Sequence, residues 1–164
     1  MRSEPTIRRG KPQDAPAIAE MANMLAAAVG EHPSGGGLMT AEIVARDLVD
    51  APGLTLLVAD SGGVAVGYAL LTASYETCYA VRGVYLIDLA VAETAQRQGI
   101  GQALMRAAAR EAVTTGGRYI NWVVVPENES AKAFYNAVGG IKEPVEARAI
   151  FGPAFEALLT GEED

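Results

Sequence analysis

The chain has 164 residues, half of them hydrophobic, and a formal net charge of −7. This length and hydrophobic content predict one domain over residues 1–164 with a core of its own. The acidity argues against nucleic acid or an anionic membrane as a partner, because both require a basic face, and it suits a cationic ligand.

One cysteine, Cys78, and one histidine, His32, are too few for a disulfide framework or a zinc cluster, so we expect no metal and a reducing, cytoplasmic location. A serine-hydrolase triad would have to use His32, yet the sequence has no Gly-x-Ser-x-Gly nucleophile elbow. No signal-peptide core is visible, and no apolar run approaches the roughly 18 residues that a membrane span requires.

The first third of the chain predicts one strand and two helices. Residues 6–9 have strand character, and Asp14 is the expected N-cap of a helix over residues 15–29, whose apolar side chains recur at helical spacing. Thr40 is the expected N-cap of a second helix, which Pro52-Gly53 ends.

A hairpin and a further strand are expected next. Residues 54–59 and 64–73 are rich in strand-forming side chains, and the intervening Asp60-Ser61-Gly62-Gly63 predicts a tight turn. A polar and aromatic connection over residues 75–82 then leads to a strand over residues 84–91.

The strand over residues 84–91 carries an unexpected carboxylate, Asp88. Strict alternation places Leu86, Asp88 and Ala90 on one face and Tyr85 on the other. Because an isolated buried charge is unfavourable, Asp88 requires either a hydrogen-bonding partner or a catalytic task.

The segment Gln96-Arg97-Gln98-Gly99-Ile100-Gly101 follows that strand and opens a helix over Ile100–Thr114. Glycines let a ligand lie against the main chain, and the free N–H groups of a first helical turn attract anions, so we predict a pyrophosphate-binding turn. A dinucleotide fingerprint would need a third glycine where Leu104 stands, and a P-loop would need lysine where Gln102 stands.

The last part of the chain predicts two strands separated by a helix. A fully buried strand is expected over residues 118–125, and a helix over residues 129–138 that Gly139-Gly140 ends. Residues 147–151 are expected to form a final strand.

The sequence contains two motifs, one after the other, that together resemble those of the GNAT superfamily of acetyl-CoA-dependent N-acetyltransferases. One is the Gln-x-x-Gly-x-Gly turn, and the other is Asn128-x-x-Ala131-x-x-Phe134-Tyr135. The resemblance extends over residues 7–151. It implies an α/β fold whose central, mostly antiparallel mixed sheet is flanked by helices and splays between its fourth and fifth strands to admit coenzyme A. Homodimers are common among similar proteins, so we also expect a homodimer.

The resemblance also implies the residues that contact the cofactor. The Leu89 amide would stabilise the oxyanion, and Tyr135 would protonate the departing thiolate unless it is only a core aromatic. Asn128 would contact the cofactor, cap its helix, or do both. The full set comprises Leu89, Ala90, Val91, Gln96, Arg97, Gln98, Gly99, Ile100, Gly101, Gln102, Asn128 and Tyr135.

The base and the acceptor site are expected on and around the same strand. A protonated amine is no nucleophile, so Asp88 is the candidate for water-mediated proton removal, and Tyr85 is the alternative. Residues 85–91 resemble the polyamine (spermidine/spermine) branch, which however carries Glu-Asp where this chain has Ile87-Asp88. The predicted acceptor contacts are Glu31, Tyr75, Glu76, Tyr85 and Asp88.

These residues predict an enzyme that transfers acetyl from acetyl-CoA to a primary amine of a small molecule, either polyamine-like or amino-acid-like. One alternative is acetylation of a protein lysine or N-terminus. Another is a catalytically silent acyl-CoA sensor, which would need neither Asp88 nor Tyr135.

Overall fold

The computed structural model describes residues 5–30 and 36–161, so Glu31 and His32 lie outside the described residues. The elements in chain order are β1 Thr6–Arg9, α1 Ala15–Val29, α2 Ala41–Asp47, β2 Leu54–Ser61, β3 Val64–Glu76, β4 Val81–Val91, α3 Ile100–Thr114, β5 Tyr119–Asn121, α4 Glu129–Ala137 and α5 Pro153–Thr160. Short 3-10 turns at Pro12–Asp14 and Glu93–Ala95 precede α1 and α3.

The chain divides into two compact units. The first consists of Met1–Ala28 with Met39–Trp122, and the second of Val29–Leu38 with Val123–Asp164. The first unit contains the whole sheet together with α2, α3 and nearly all of α1, and the second contains α4 and α5.

The sheet of the first unit has the strand order β1-β2-β3-β4-β5. The first four strands pair antiparallel, and β5 joins β4 in parallel. This confirms the predicted mixed, mostly antiparallel sheet. The β4–β5 pairing ends at Tyr85 and Asn121, whereas β4 continues to Val91 alongside β3. No described strand pairs with that outer edge of β4, as expected where the fourth and fifth strands separate.

A bulge in β4 changes which face each side chain occupies. Leu71 pairs with Leu86, but the adjacent Leu70 pairs with Asp88, so Ile87 is an extra residue. Consecutive residues on β3 point to opposite faces, and paired residues share a face. Leu86 and Asp88 therefore lie on opposite faces, and the prediction from strict alternation was wrong at this point.

The helices of the first unit cover both faces of the sheet. On the face that carries Tyr68, helices α1 and α2 contribute to one core with β2, β3 and β4, including Ile18, Val44, Val58, Tyr68, Leu70 and Ala90. On the opposite face α3 packs closely, since a Cβ added at Gly67 would come within 3.1 Å of Ile100 and 3.3 Å of Leu104. Ile18 and Met21, two of the apolar side chains that recur at helical spacing in α1, are thus part of the core on the sheet.

Two features of the hairpin between β3 and β4 differ from expectation. The strands extend to Glu76 and from Val81, so the connection is shorter than the predicted residues 75–82. Tyr75 pairs with Arg82, whose guanidinium carbon lies 5.5 Å from the centre of the tyrosine ring. This cation–π contact favours continued strand pairing in a polar segment.

Of the two strands predicted near the end of the chain, the first is much shorter than predicted and the second is absent from the described residues. Strand β5 covers only Tyr119–Asn121, and none of its residues is fully buried, so the apolar content of residues 118–125 was misleading. Residues 147–151 form no strand. A strand requires main-chain pairing as well as suitable side chains, and residues 147–151 pair with no described strand.

A buried ionic cluster joins the beginning of the chain to the first hairpin. Asp14, which is 3% exposed, accepts hydrogen bonds from the Arg8 guanidinium at 2.7 and 2.9 Å and from the Lys11 main-chain N–H at 2.8 Å. Arg8 also contacts Asp60 at 2.7 Å. Asp14 was predicted to cap α1, but its carboxylate is turned back toward β1 and the preceding 3-10 turn instead.

The cluster depends on Asp14 remaining ionised. The hydrogen bonds from Arg8 lower the pKa of Asp14, burial opposes them, and the Lys11 N–H lowers it further. A carboxyl group whose pKa is lower in the folded than in the unfolded protein stabilises the fold above the unfolded pKa of about 3.9. That stabilisation is lost as the pH falls through the folded pKa.

We therefore expect Asp14→Asn to lower the free energy of unfolding at pH 7 by about 3 kcal/mol, because Arg8 loses its buried counter-charge. The deficit relative to the original protein should be smaller at about pH 3, below the unfolded pKa of about 3.9, because protonation of this carboxyl group in the unfolded state already reduces the stabilisation there. Chemical denaturation at the two pH values measures both effects. The control Asp47→Asn removes an exposed carboxylate paired with Arg46 and should change neither. An unchanged stability at pH 7 would contradict a structural role for the cluster.

Candidate active site

The end of β4 and the turn after it are joined by a side chain. Leu89, Ala90 and Val91 pair with β3 on one edge only. The exposed Gln96 returns toward the strand, and its Nε2 donates to the Val91 carbonyl at 3.1 Å. This hydrogen bond connects the predicted main-chain site on β4 to the predicted pyrophosphate turn.

The turn presents main-chain donors at the start of α3. Arg97 and Gly99 both adopt positive φ, 59° and 80°, and Gly99 is the N-cap in the left-handed region. No side chain caps the helix, so the first-turn N–H groups are left without an intrahelical partner. A Cβ at Gly99 would meet nothing within 4 Å, and Arg97 is exposed. These features fit an anionic pyrophosphate group.

Asp88 has a partner that the sequence did not reveal. The Tyr68 hydroxyl donates to Asp88 Oδ2 at 3.1 Å, and Tyr68 is fully buried whereas Asp88 is partly buried. A buried tyrosine usually has a hydrogen-bonding partner for its hydroxyl, so the presence of Tyr68 in an apolar strand is the sequence feature that could have indicated this pair. Asp88 thus has the hydrogen-bonding partner that its burial in a strand requires, and Tyr68 was not predicted to be that partner.

The two groups influence each other's protonation. Burial raises the pKa of Asp88, and the Tyr68 hydrogen bond partly offsets this effect. Burial and the neighbouring Asp88 carboxylate raise the pKa of Tyr68, so the phenol remains a neutral donor. Asp88 is consequently a better proton acceptor than an exposed aspartate while still holding a hydrogen bond.

The bulge brings both candidate bases to one face. Tyr85 pairs with Thr72, which shares a face of β3 with Leu70, the partner of Asp88. Tyr85 and Asp88 therefore lie on the same face, although strict alternation had separated them. Tyr85 is partly buried, so either group is accessible to an acceptor on this face.

Two further polar groups occupy the same face near the paired end of β5. Ser74 Oγ and the Tyr119 hydroxyl are 2.9 Å apart, and Gly83 lies between them in the register. A Cβ at Gly83 would approach the Tyr119 carbonyl oxygen to 2.5 Å, so glycine is required for this close passage. Neither Ser74 nor Tyr119 was predicted as a site residue from the sequence.

The other predicted acceptor residues lie farther away. Glu76 shares the face of Asp88, but it is six residues along β3 from the Asp88 partner Leu70, roughly 20 Å away. Tyr75 lies on the opposite face against Arg82. The structure therefore brings Tyr85 and Asp88 together but not Tyr75 or Glu76, and Glu31 lies outside the described residues.

In the second unit, the later motif forms the start of α4. Asn128 Oδ1 accepts from the Ala131 N–H at 3.0 Å, so Asn128 is the N-cap, one of the two roles expected for it. The rings of Phe134 and Tyr135 meet edge to face with their centres 5.2 Å apart, and Tyr135 is partly buried. A contact of either residue with a cofactor remains a prediction.

Residues 5–30 and 36–161, the part of the chain that the structure describes, were searched for metal-binding groups and for membrane-spanning helices. No three His, Cys, Asp or Glu side chains come together as a group that could hold a metal ion. No helix there has the length and apolar character to cross a bilayer.

The sequence profile of the Acetyltransferase (GNAT) family matches residues 23–139, most of the chain. The chain belongs to this family. Its members are acyltransferases that use acetyl-CoA, so membership identifies the chain as an acyltransferase with acetyl-CoA as its cofactor. The exposed turn and the open edge of β4 fit that assignment.

Similar proteins agree with the fold. The chain is 33% identical over 76 residues to an L-ornithine N5-acetyltransferase of Arabidopsis thaliana, a match that covers 46% of this chain and only a third (33%) of that protein's length. An integron cassette protein from the mobile metagenome of V. cholerae has a TM-score of 0.77 at 18% identity, covering 96% of this chain and 98% of that one. An aminoglycoside acetyltransferase from an uncultured soil metagenomic sample has a TM-score of 0.69 at 19% identity, covering 90% and 97%.

A substitution at Asp88 can separate a catalytic from a structural role. Because burial raises the pKa of this carboxyl group, the ionised form is unfavourable in the folded protein, and the protein gains stability as the pH falls through the folded pKa. Asp88→Asn keeps an acceptor for Tyr68 without the charge. We expect its melting temperature at pH 7 to be equal to or higher than that of the original protein, with the difference disappearing at acidic pH.

The same Asp88→Asn variant should lose at least about a hundredfold in turnover if Asp88 accepts the proton of the amine. Acetyl-CoA-dependent thiol release measures turnover, and scanning calorimetry measures stability. A variant that loses stability and keeps its turnover would identify Asp88 as a structural residue.

Proposed function

We propose that this protein transfers the acetyl group of acetyl-CoA to a primary amine of a small molecule, polyamine-like or amino-acid-like, by direct attack. The observation that carries the proposal is the position of Asp88. Its carboxylate has a raised pKa, lies on a partly open face, and directly precedes the main chain of Leu89, the proposed thioester site. We also propose that residues 1–164 act as one GNAT domain within a homodimer.

The cofactor site is proposed at the end of β4 and in the turn that follows. The main chain of Leu89, Ala90 and Val91 would run beside the pantetheine arm, and the turn from Gln96 to Gly101, with Gln102, would hold the pyrophosphate. The hydrogen bond from Gln96 to Val91 supports this arrangement because it couples the two segments. Arg97 adds positive charge, and Asn128 is proposed as a further contact from its place in the second motif.

When bound, acetyl-CoA supplies the thioester, whose carbonyl carbon accepts the amine nitrogen as the carbon–sulfur bond breaks. Asp88 takes the proton of the ammonium group through water, and Tyr85 is the second candidate for this step. The Leu89 N–H donates to the carbonyl oxygen as its negative charge grows. Tyr135 would give its proton to the thiolate and would be restored by the second proton that the nitrogen loses as the amide forms, so the products are an acetamide, a free thiol and the one proton taken by Asp88.

Several observations support a small cationic acceptor. The chain carries a net charge of −7, which favours the approach of an ammonium group. The Arabidopsis relative is named for L-ornithine, an amino acid with a side-chain amine, and the soil neighbour for aminoglycosides, which are also amines. Polyamine-like acceptors are proposed from the resemblance of residues 85–91.

A panel of amines tests this proposal. We expect thiol release from acetyl-CoA to be stimulated by spermidine, ornithine or another small primary amine, and much less by a lysine peptide of equal amine concentration. Preference for the peptide would favour the protein acetyltransferase alternative. Binding of acetyl-CoA by calorimetry without thiol release on any amine would favour a silent sensor and overturn the enzyme proposal.

The role of Tyr135 is tested by Tyr135→Phe. Removing the hydroxyl should lower kcat by at least about a hundredfold with little change in the Kd of acetyl-CoA, because a general acid acts in the transition state. The matched control is Tyr79→Phe at an 80% exposed tyrosine outside the proposed site, which should change neither quantity. A Tyr135→Phe enzyme with unchanged kcat would remove Tyr135 from the acid role.

A further inference from the structure

We propose that Tyr68 is a positioning residue for this reaction, which fixes the Asp88 carboxylate through Oδ2 and directs Oδ1 toward the amine. The inference rests on the proposed function, because it assumes that Asp88 accepts the proton. It deepens that function by assigning a residue that neither family motif contains.

The geometry of the pair supports a directional role. Tyr68 pairs with Ala90, so Asp88, two residues earlier on the same face of β4, is its diagonal neighbour. The hydroxyl reaches Oδ2 at 3.1 Å. Within the described residues, Oδ1 accepts no hydrogen bond, and no buried side-chain oxygen is left without a partner, so Oδ1 is accessible to solvent. One oxygen is held and the other is open.

Tyr68 is itself immobilised by the core. Its relative exposure is 0%, and its ring belongs to the cluster that contains Ile18, Val58 and Leu70. A phenol that is surrounded by apolar side chains has few orientations available, and its hydroxyl requires a partner. The rigid ring therefore holds the hydroxyl at one point, and Asp88 is the acceptor at that point.

The bulge at Ile87 is necessary for this contact. Without the extra residue, Asp88 would share the face of Leu86, on the other side of the sheet from Tyr68. The bulge and the Tyr68 hydroxyl thus act together, because the first turns Asp88 to the correct face and the second sets the angle of its carboxylate.

The electrostatic effect of Tyr68 has a definite sign. Burial raises the pKa of Asp88, and the Tyr68 hydroxyl lowers it. Tyr85 is another titratable group on this face of β4, and Tyr119 on β5 is hydrogen-bonded to Ser74. The parts of α1 and α2 that enter the core beside Tyr68 are apolar. Loss of the Tyr68 hydroxyl should therefore make Asp88 harder to ionise.

The test is the pH dependence of kcat/KM for the Tyr68→Phe variant, with acetyl-CoA and the best amine of the panel. We expect the acidic limb to move to higher pH by about one unit, so that activity on that limb falls roughly tenfold, since one hydrogen bond to a charged group is removed. The KM for acetyl-CoA should stay the same. Tyr79→Phe is the control and should leave the limb in place.

The outcomes separate this inference from the proposed function. An acidic limb that stays in place in folded Tyr68→Phe overturns the role of Tyr68. If Asp88→Asn keeps both its turnover and its acidic limb, the proposed role of Asp88 itself is wrong. The double variant that carries both Tyr68→Phe and Asp88→Asn should turn over no more slowly than Asp88→Asn alone, because Tyr68 acts through the Asp88 carboxylate.

A second measurement applies if Tyr68→Phe does not fold. Replacing Tyr68 with 3-fluorotyrosine keeps the ring and the hydroxyl but makes the phenol a stronger donor. The acidic limb should then move to lower pH, opposite to the phenylalanine variant. A shift to higher pH, or no shift, would overturn the proposal.

Discussion

The extra residue that β4 carries at Ile87 determines which side chains of this protein can act together. It turns Asp88 away from the face of Leu86 and α3 and toward the face of Tyr68 and Tyr85. Beyond Tyr85 the same strand has no partner from β5, so its main chain is open at one edge. One short segment thus provides both the polar side chains and the unpaired edge of the main chain. Bulges often occur next to active sites, where they redirect a side chain or end the strand pairing.

Asp14 and Asp88, both in the first unit, show how environment separates structural from functional carboxylates. Asp14 is nearly inaccessible and is held by the Arg8 guanidinium, so its charge is neutralised and its pKa is lowered. Asp88 is held by a neutral phenol that cannot compensate its charge, and its pKa is raised. A compensated carboxylate stabilises the fold, whereas an uncompensated and accessible one is suited to taking a proton.

Local signals in the sequence located most of the helices and strands. The observed bounds of α1 and α3 match the predicted ranges, and the N-caps Thr40 and Asn128 were confirmed as hydrogen-bonding caps. Predictions that depend on a distant partner were less successful. Residues 118–125 and 147–151 have strand-forming side chains, but of these only Tyr119–Asn121 pairs with a described strand.

The sequence by itself determined the class of fold, the glycine-containing turn before α3 and the presence of a carboxylate in β4 that needs an explanation. The turn and the carboxylate follow from periodicity, caps and residue type, all of which act over a few neighbouring residues, whereas the class of fold is implied by the resemblance of two motifs to the GNAT superfamily. The tertiary structure decided which face Asp88 occupies, that Tyr68 holds it, and that Arg8 joins Asp14 to Asp60. Tyr68 and Asp88 are 20 residues apart in the sequence, and Arg8 and Asp60 are 52 apart. The bulge at Ile87 shifts the register of β4 against β3, and no pattern in the sequence marks its position. Contacts of this kind arise only when the strands pair, because the pairing sets the distances between their side chains.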